Sequence, residues 1–531
     1  MRLTKAFGVR LLATAILAAL AFGALAELPQ SGLRPVKNVI IMVPDGTSLA
    51  AYTLTRWYKG GSLALDPYAC GLVRTYSANS LVTDSAASAT TYASGVKTTN
   101  GHLSVLPAKI TAPAPRPVTP ADVQRPVVTA AELAHRGGRA VGLVVTCHIV
   151  DATPAAFSAH SSSRARFEDI IEQQIFSGFD LFFGGGTKYL KAANGHDFSE
   201  DMKSQGYELL KTKAEMQAAK GPKAFGLFGE SSLPYDLDRD PEKDPSLAEL
   251  TGKAIDILSR NPQGFFLLIE GSKVDYGAHG NDPAGIVGEL SAFDDAFKVA
   301  LDFAKADGNT AIIVCADHGN GGIAFGEKGG SPNVDSLKKI KRSTDGVAKA
   351  IGPSPSNEKV KETLASLYGI DDLKDSEAEA LIKAPKLYSA LAALMSSRSH
   401  IGWTTSGHTG EEVALFCYAP GPRPTGVIDN TEVNRWLCAW LASPSPEEAS
   451  RELFADIKPL LEAQGCTVEE KADPLKPGKL SLLVTKGSST LELIKNRSYA
   501  LLNGRKVDLP AVVVKPEERW FAPRMTLELM K

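Results

Sequence analysis

A chain of 531 residues with 58 basic and 60 acidic side chains has a net charge of −2. That balance carries no footprint of nucleic-acid binding and no polybasic membrane surface. The length suits one large α/β domain with appendages, and the six cysteines, Cys70, Cys147, Cys315, Cys417, Cys438 and Cys466, include no Cys-x-x-Cys metal spacing.

The chain opens with Arg2, Lys5 and Arg10, an apolar run from Leu11 to Phe22, and small residues at Ala24-Leu25-Ala26. Residues 1–26 read as a secretory signal peptide cleaved after Ala26, which predicts a periplasmic or secreted protein. No later run reaches the roughly 18 apolar residues of a membrane span. Export permits disulfides. Cys147, Cys315 and Cys417 nonetheless lie at apolar strand positions that favour buried thiols, and a Cys438–Cys466 pair stays open.

Several short apolar runs then end in chemistry. Lys37 to Val43 reads as a buried strand that Pro44-Asp45-Gly46 breaks, projecting Asp45 from its carboxyl end. Thr83-Asp84-Ser85 precedes an Ala-rich helical run, where N–H groups and the helix dipole favour an alkoxide and then a phosphate, so Ser85 is the candidate nucleophile. The alternative for Ser85 is an ordinary helix cap.

Arg139 to Thr146 leads to Asp151-Ala152-Thr153-Pro154, and Gly264 to Ile269 leads to Glu270 and Asp275-Tyr276-Gly277-Ala278-His279. Thr310 to Cys315 precedes Asp317-His318-Gly319, and His408 lies in Ser406-Gly407-His408-Thr409-Gly410. Ligands bind at the carboxyl ends of strands in open parallel sheets, so these acids and imidazoles imply one site. Imidazole with carboxylate suits zinc, and an all-oxygen set suits magnesium. Asp275 and His279 share a face if the chain is helical there. Asp317 and His318 can reach one ion only if the chain has left the sheet, which Gly319 and Gly321-Gly322 allow.

These motifs, in this order from about Lys37 to Pro420, closely resemble the alkaline phosphatase family. The resemblance implies an α/β fold, a three-layer α/β/α sandwich around a mostly parallel sheet, and two Zn2+ with one Mg2+. It implies that Asp275, His279 and His408 hold one zinc, and that Asp45, Asp317 and His318 hold the second, on which Ser85 sits. Asp45, Thr153 and Glu270 would hold magnesium, with Asp151 positioning its waters. Arg164 matches the family's phosphate clamp; a guanidinium meets two phosphate oxygens at once, as a lysine cannot. Where many members carry Lys, His or Trp after the zinc aspartate, this chain has Tyr276, leaving Asp151 without a lysine partner.

The implied activity is hydrolysis of small-molecule phosphate monoesters through a phosphoserine. Diester or sulfate hydrolysis is the rival within the same superfamily, and a non-catalytic phosphate-binding envelope protein the rival outside it. Ser85-Ala86-Ala87-Ser88 lacks the C/S-x-P-x-R pattern of sulfatases.

The organisation expected is a catalytic domain over 27–442 with insertions at about 188–244 and 320–397, a linker region over 443–478 entered by Ser443-Pro444-Ser445-Pro446, and a small β-rich module over 479–531. In that module Leu482 to Thr485 and Ala511 to Val514 read as strands, with Asn503-Gly504 as a hairpin turn. It resembles the short repeat domain found beside copper amine oxidases and in bacterial envelope proteins, which implies envelope attachment; a packing appendage fits equally, and a homodimer stays open. Since every expected ligand precedes the linker, the sequence predicts that the module is dispensable.

Overall fold

The computed structural model describes residues 33–111, 119, 122–326, 330–472 and 480–531. The expected leader, 1–26, lies outside the described residues. Among the described residues no helix is long and apolar enough to cross a membrane.

The apolar runs become the middle of a ten-stranded sheet. Its first eight strands in chain order are β1 (Asn38–Pro44), β2 (Ala69–Arg74), β3 (Ala140–His148), β4 (Leu181–Gly185), β5 (Glu208–Leu210), β6 (Ala224–Leu227), β7 (Phe265–Gly271) and β8 (Thr310–Cys315). From one edge to the other the order is Gly426–Asp429, β2, Val413–Tyr418, β8, β1, β7, β3, β4, β6, β5. Neighbours are parallel except around Val413–Tyr418, which runs against both β2 and β8.

Strands buried on both faces read as unbroken apolar runs rather than alternating ones, and β1 illustrates why. Val39, Ile41 and Val43 enter one core with the helices Ser85–Ser94, Ala152–Ser158 and Asn430–Leu441. Ile40 and Met42 enter the other, with Leu247–Leu258 and Pro283–Asp307. Helices therefore cover both faces, which is the three-layer sandwich.

Two sequence expectations change. The segment 188–244, expected as an insertion, supplies β5 and β6, the last two strands of one sheet edge. The segment 320–397 does build a helical unit with its own core around Leu337, Val347, Leu364 and Leu391. The expected linker, 443–478, also folds over its described residues, 443–472: it forms the helices Pro446–Leu453 and Ile457–Ala463 and the strand Thr467–Ala472. That strand begins a five-stranded antiparallel sheet continued by Leu480–Lys486, Ser489–Ile494, Tyr499–Leu502 and Arg505–Asp508.

Asn503 and Gly504 make the tight turn between the last two of these strands, both with positive φ, 50° and 75°, as a type I′ turn demands. The run Ala511 to Val514 is not a strand of this sheet. Val512 and Val514 instead enter the core on the β1 Val39 face of the large sheet, with Phe521, Leu453 and Phe454. Polar ties join the same surfaces: Val128 N donates to Ser450 Oγ (2.8 Å), and Lys495 pairs with Asp169 (2.7 Å). All six cysteines are unpaired, five of them buried and Cys70 partly so.

Dispensability of the module is thus reversed by its packing. Burying a large apolar side chain stabilises by about 1.5–3 kcal/mol, and five such side chains leave that core if the chain stops after Ser443. Truncation there should yield aggregated or strongly destabilised protein, visible in soluble yield and thermal unfolding; a shortened enzyme melting with the full chain would contradict this.

Candidate active site

The strands β8, β1, β7 and β3 are neighbours at the centre of the sheet, and their carboxyl ends carry the site. Asp45 follows β1, Glu270 closes β7 in register with Val43, Asp151 follows β3, and Asp317 and His318 follow β8. The short helix Lys273–His279 places Asp275 and His279 one turn apart. His408 arrives on the strand pair His408–Thr409 with Gly319–Asn320, which returns it beside the Asp317-His318 loop. All the expected ligands except His279 and His408 are buried.

Ser85 is the first residue of its helix, and the cap is Asp84, whose carboxylate accepts from Ala87 N (3.0 Å). This leaves the Ser85 hydroxyl free of capping duty; its Oγ lies 3.1 Å from His318 Nε2. The helix is pinned to the chain after β8 by Ser88 Oγ on Asp317 O (2.7 Å) and Tyr92 OH on Ala316 O (2.6 Å). Gly46, at φ +65°, donates its N–H to Asp317 Oδ1 (3.0 Å), and a Cβ there would fall 2.3 Å from Asp275 Oδ1. Only glycine lets the two loops approach so closely.

Hydrogen bonds set the imidazole tautomers. His279 Nδ1 faces Ser406 O (2.8 Å), His408 Nδ1 faces Thr83 O (2.9 Å), and His318 Nδ1 faces Gly319 O (3.2 Å). A carbonyl only accepts, so each Nδ1 carries the proton and each Nε2 presents a lone pair, the arrangement of metal-binding histidines. Burial, followed by the neighbouring His408, lowers the His318 pKa to about 3, so that ring is neutral.

The lone pairs then face other acceptors. His279 Nε2 and His408 Nε2 are 3.2 Å apart, and Asp275 Oδ2 is 3.4 Å from His279 Nε2. Asp317 Oδ2 is 3.2 Å and Asp45 Oδ1 3.6 Å from His318 Nε2, and neither oxygen has a hydrogen-bond donor among the described residues.

Two sets of ligand atoms lie within 4.8 Å of one another: Asp275, His279 and His408, and Asp45, Asp275 and His318. Asp275 therefore stands between the sets. Burial, then the charges of Asp317, Asp275 and Glu270, pushes the Asp45 carboxyl well above its usual range. Burial, then Asp151 and Asp317, raises Glu270 to about 8, and the buried Thr153 hydroxyl lies beside that carboxyl. Buried like charges and facing lone pairs are costly without cations. The donor set fits them: mixed nitrogen and oxygen for zinc, and oxygen from Asp45, Thr153 and Glu270 for magnesium.

Beside these ligands, Arg164 is held by Asp84 Oδ2 (3.3 Å) and Asp151 Oδ1 (3.0 Å), its side chain about one-third exposed. Tyr276 OH donates to Asp151 Oδ2 (3.2 Å), and His148 Nε2 lies 3.6 Å from the same oxygen. Burial works to raise the Asp151 pKa, but His148 and Arg164 outweigh it and hold the carboxyl below its usual value. Burial pushes the Tyr276 hydroxyl far up, so it remains a neutral donor.

Sequence reasoning missed Asp84 as the partner of Arg164, His148 as the partner of Asp151, and Asn320, whose Nδ2 donates to Asp275 Oδ1 (2.6 Å). Only His148, three residues before Asp151, carried a local signal.

With this geometry in place, the comparisons are consistent. The alkaline phosphatase family model matches residues 36–442. Alkaline phosphatase 3 of Bacillus subtilis is 32% identical over 462 residues, covering 81% of this chain and 96% of that protein. The cold-active alkaline phosphatase of Shewanella sp. superposes with a TM-score of 0.68 at 32% identity, covering 76% of this chain and 99% of that one. A mutant of the alkaline phosphatase from the Antarctic bacterium TAB5, solved with Mg bound in its M3 site, matches at 25% identity and TM-score 0.57, covering 78% and 99%. The chain belongs to the alkaline phosphatase family, metal-dependent phosphomonoester hydrolases.

Metal removal gives a signed prediction. Glu270 rises from 4.5 to about 8 in the metal-free fold, so the folded state binds more protons than the unfolded chain between those values. His318, lowered from 6.5 to about 3, has the opposite slope below 6.5, so stability of the metal-free protein should fall as pH rises from about 6.5 to about 8. Bound cations favour the carboxylates and should remove that slope. Melting temperatures across this range, with chelator and with zinc plus magnesium, check it; a chelated protein that stabilises with rising pH would contradict it.

Proposed function

We propose that this enzyme hydrolyses phosphate monoesters through a covalent phosphoserine on Ser85 at a site for two zinc ions and one magnesium ion. The observation that carries the reading is Ser85 Oγ at a helix N-terminus, 3.1 Å from His318 Nε2, a nitrogen that Asp45 Oδ1 and Asp317 Oδ2 also approach, with Arg164 tied to the helix cap Asp84. Asp275, His279 and His408 would hold one zinc; Asp45, Asp317 and His318 would hold the other, with Asp275 at their boundary. Asp45, Thr153 and Glu270 would hold magnesium, with Asp151 positioning its waters.

When bound, these ions supply activation of the hydroxyl and of water, and charge stabilisation on the departing oxygen. Ser85 Oγ attacks phosphorus, the bond to the alcohol oxygen breaks, and phosphoserine remains; water then attacks from the opposite side and restores Ser85 with release of phosphate. Arg164 holds two oxygens of the phosphoryl group, and the helix N-terminus favours its negative charge. Splitting the hydrolysis in two is nucleophilic catalysis.

The substrate expected is a small monoester. Assays of the zinc- and magnesium-loaded protein against monoester, diester and sulfate ester test this directly, and faster turnover of either rival class would overturn it. The N-terminal pattern of charge and apolar residues supports a periplasmic or secreted location. Envelope attachment and a homodimer are further proposals; fractionation and sedimentation test them.

Ser85→Ala should lower turnover by about 10³-fold or more and abolish acid-stable labelled phosphoenzyme, with metal content near wild type. Phosphate trapped on another residue would refute the assignment.

Tyr276→Lys would bring a cation to Asp151, beside Arg164 and the bound phosphate. After desolvation and screening a gain of roughly 1 kcal/mol remains, so the inhibition constant for phosphate should fall about fivefold. Product and transition state carry similar charge, so turnover should gain little. Unchanged or weaker inhibition would show that the side chain does not act on the phosphate site.

A further inference from the structure

The loop that carries Arg164 has little regular structure of its own. It runs over 159–166, between the helices Ala152–Ser158 and Phe167–Phe176. On its inner side Arg164 N donates to Gly101 O (2.8 Å), and Ser161 exchanges backbone hydrogen bonds with Leu103 (2.8 and 2.9 Å). On its outer side the support comes from the far end of the chain. Ser162 Oγ donates to Pro516 O (2.9 Å) and also meets Glu517 Oε1; Arg166 Nη2 lies 3.0 Å from the same Glu517 oxygen, and its Nη1 meets Pro516 O. One carboxylate oxygen thus takes the residues two before and two after Arg164.

The segment delivering Glu517 is itself tethered. Val514 and Phe521 bridge its base, Lys515 reaches Glu470 (3.7 Å), and Arg519 reaches Asp456 (3.4 Å) and Val123 O.

Magnitudes indicate what the brace does. The Glu517 and Arg166 side chains are 40% and 36% exposed, and exposed ion pairs contribute little to stability. Their effect is on the shape of a loop that lacks a hydrogen-bonded ladder.

We propose that Glu517 is a positioning residue for Arg164, so that the C-terminal module completes the phosphate site. The inference rests on the reading of Arg164 as the phosphate clamp. Without the brace the loop samples conformations in which Arg164 is turned away, and apparent affinity falls by the fraction of the time it is competent.

The test uses the full-length protein loaded with zinc and magnesium, an aryl phosphate as substrate and inorganic phosphate as inhibitor. Glu517→Ala should raise the phosphate inhibition constant and KM together, about three- to tenfold, with kcat within twofold and melting temperature little changed. Glu517→Gln, whose amide oxygen still accepts from Ser162 and Arg166, should recover most of the loss. In an Arg164→Ala background Glu517→Ala should add less than twofold, because coupled residues are non-additive.

An inhibition constant unmoved by Glu517→Ala, or moved equally with and without Arg164, would overturn the brace. Should Arg164→Ala itself leave phosphate inhibition at the wild-type value, the clamp reading fails and the brace with it. If Glu517→Ala does not accumulate as folded protein, Ser162→Ala removes one donor to the same oxygen and should shift the inhibition constant in the same direction; no shift would count against the proposal.

Discussion

Concentrated negative charge in a place without water is the constraint on which this molecule turns. Asp45, Glu270, Asp275 and Asp317 are all buried at the carboxyl ends of three adjacent strands. An unpaired buried carboxylate costs several kcal/mol, while a whole domain is stable by only about 5–15 kcal/mol. Such a cluster stays ionised only with cations among its oxygens, and without them it takes up protons, as the raised Asp45 and Glu270 carboxyls show. Metal affinity and folding are therefore linked.

The scaffold around the cluster keeps its members apart and aimed. Parallel strands place the acids at fixed spacing, and backbone carbonyls turn each histidine so that Nε2 points inward. The helix Ser85–Ser94 is bolted to the loop after β8 through Ser88 and Tyr92, so Ser85 and His318 share one rigid support. Preorganisation of this kind matters because a catalytic group displaced by an ångström loses much of its effect.

Peripheral parts of the chain reach the same centre. The helical unit of the 320–397 segment is tied directly behind the helix Lys273–His279, with Thr344 Oγ1 and Tyr388 OH donating to Asp282 (2.6 and 3.3 Å) and Ser396 Oγ to Asn281 O (3.2 Å). The C-terminal module meets the loop of Arg164 through Pro516 and Glu517. The departure at Tyr276 fits between these supports: its hydroxyl and the Arg164 guanidinium share Asp151, so a neutral donor orients the carboxylate where a lysine would add charge.

Much of the centre was legible in the sequence because its signals are local. A strand buried on both faces must be apolar throughout, and the acids that follow β1, β3, β7 and β8 stand where such strands end. Asn503-Gly504 likewise announced its turn, since few residue pairs accept two positive φ values. The folding of 443–472, the strands β5 and β6, and the burial of Val512 and Val514 in the catalytic core were not legible: short amphipathic pieces look alike whether they cover a core or link two. Nor did the sequence mark Asn320 or Glu517, ordinary polar residues whose roles depend on partners up to hundreds of positions away. Residue type and spacing determined which chemistry the chain can assemble; only tertiary packing decided which distant groups hold it in place, because those contacts follow no local period.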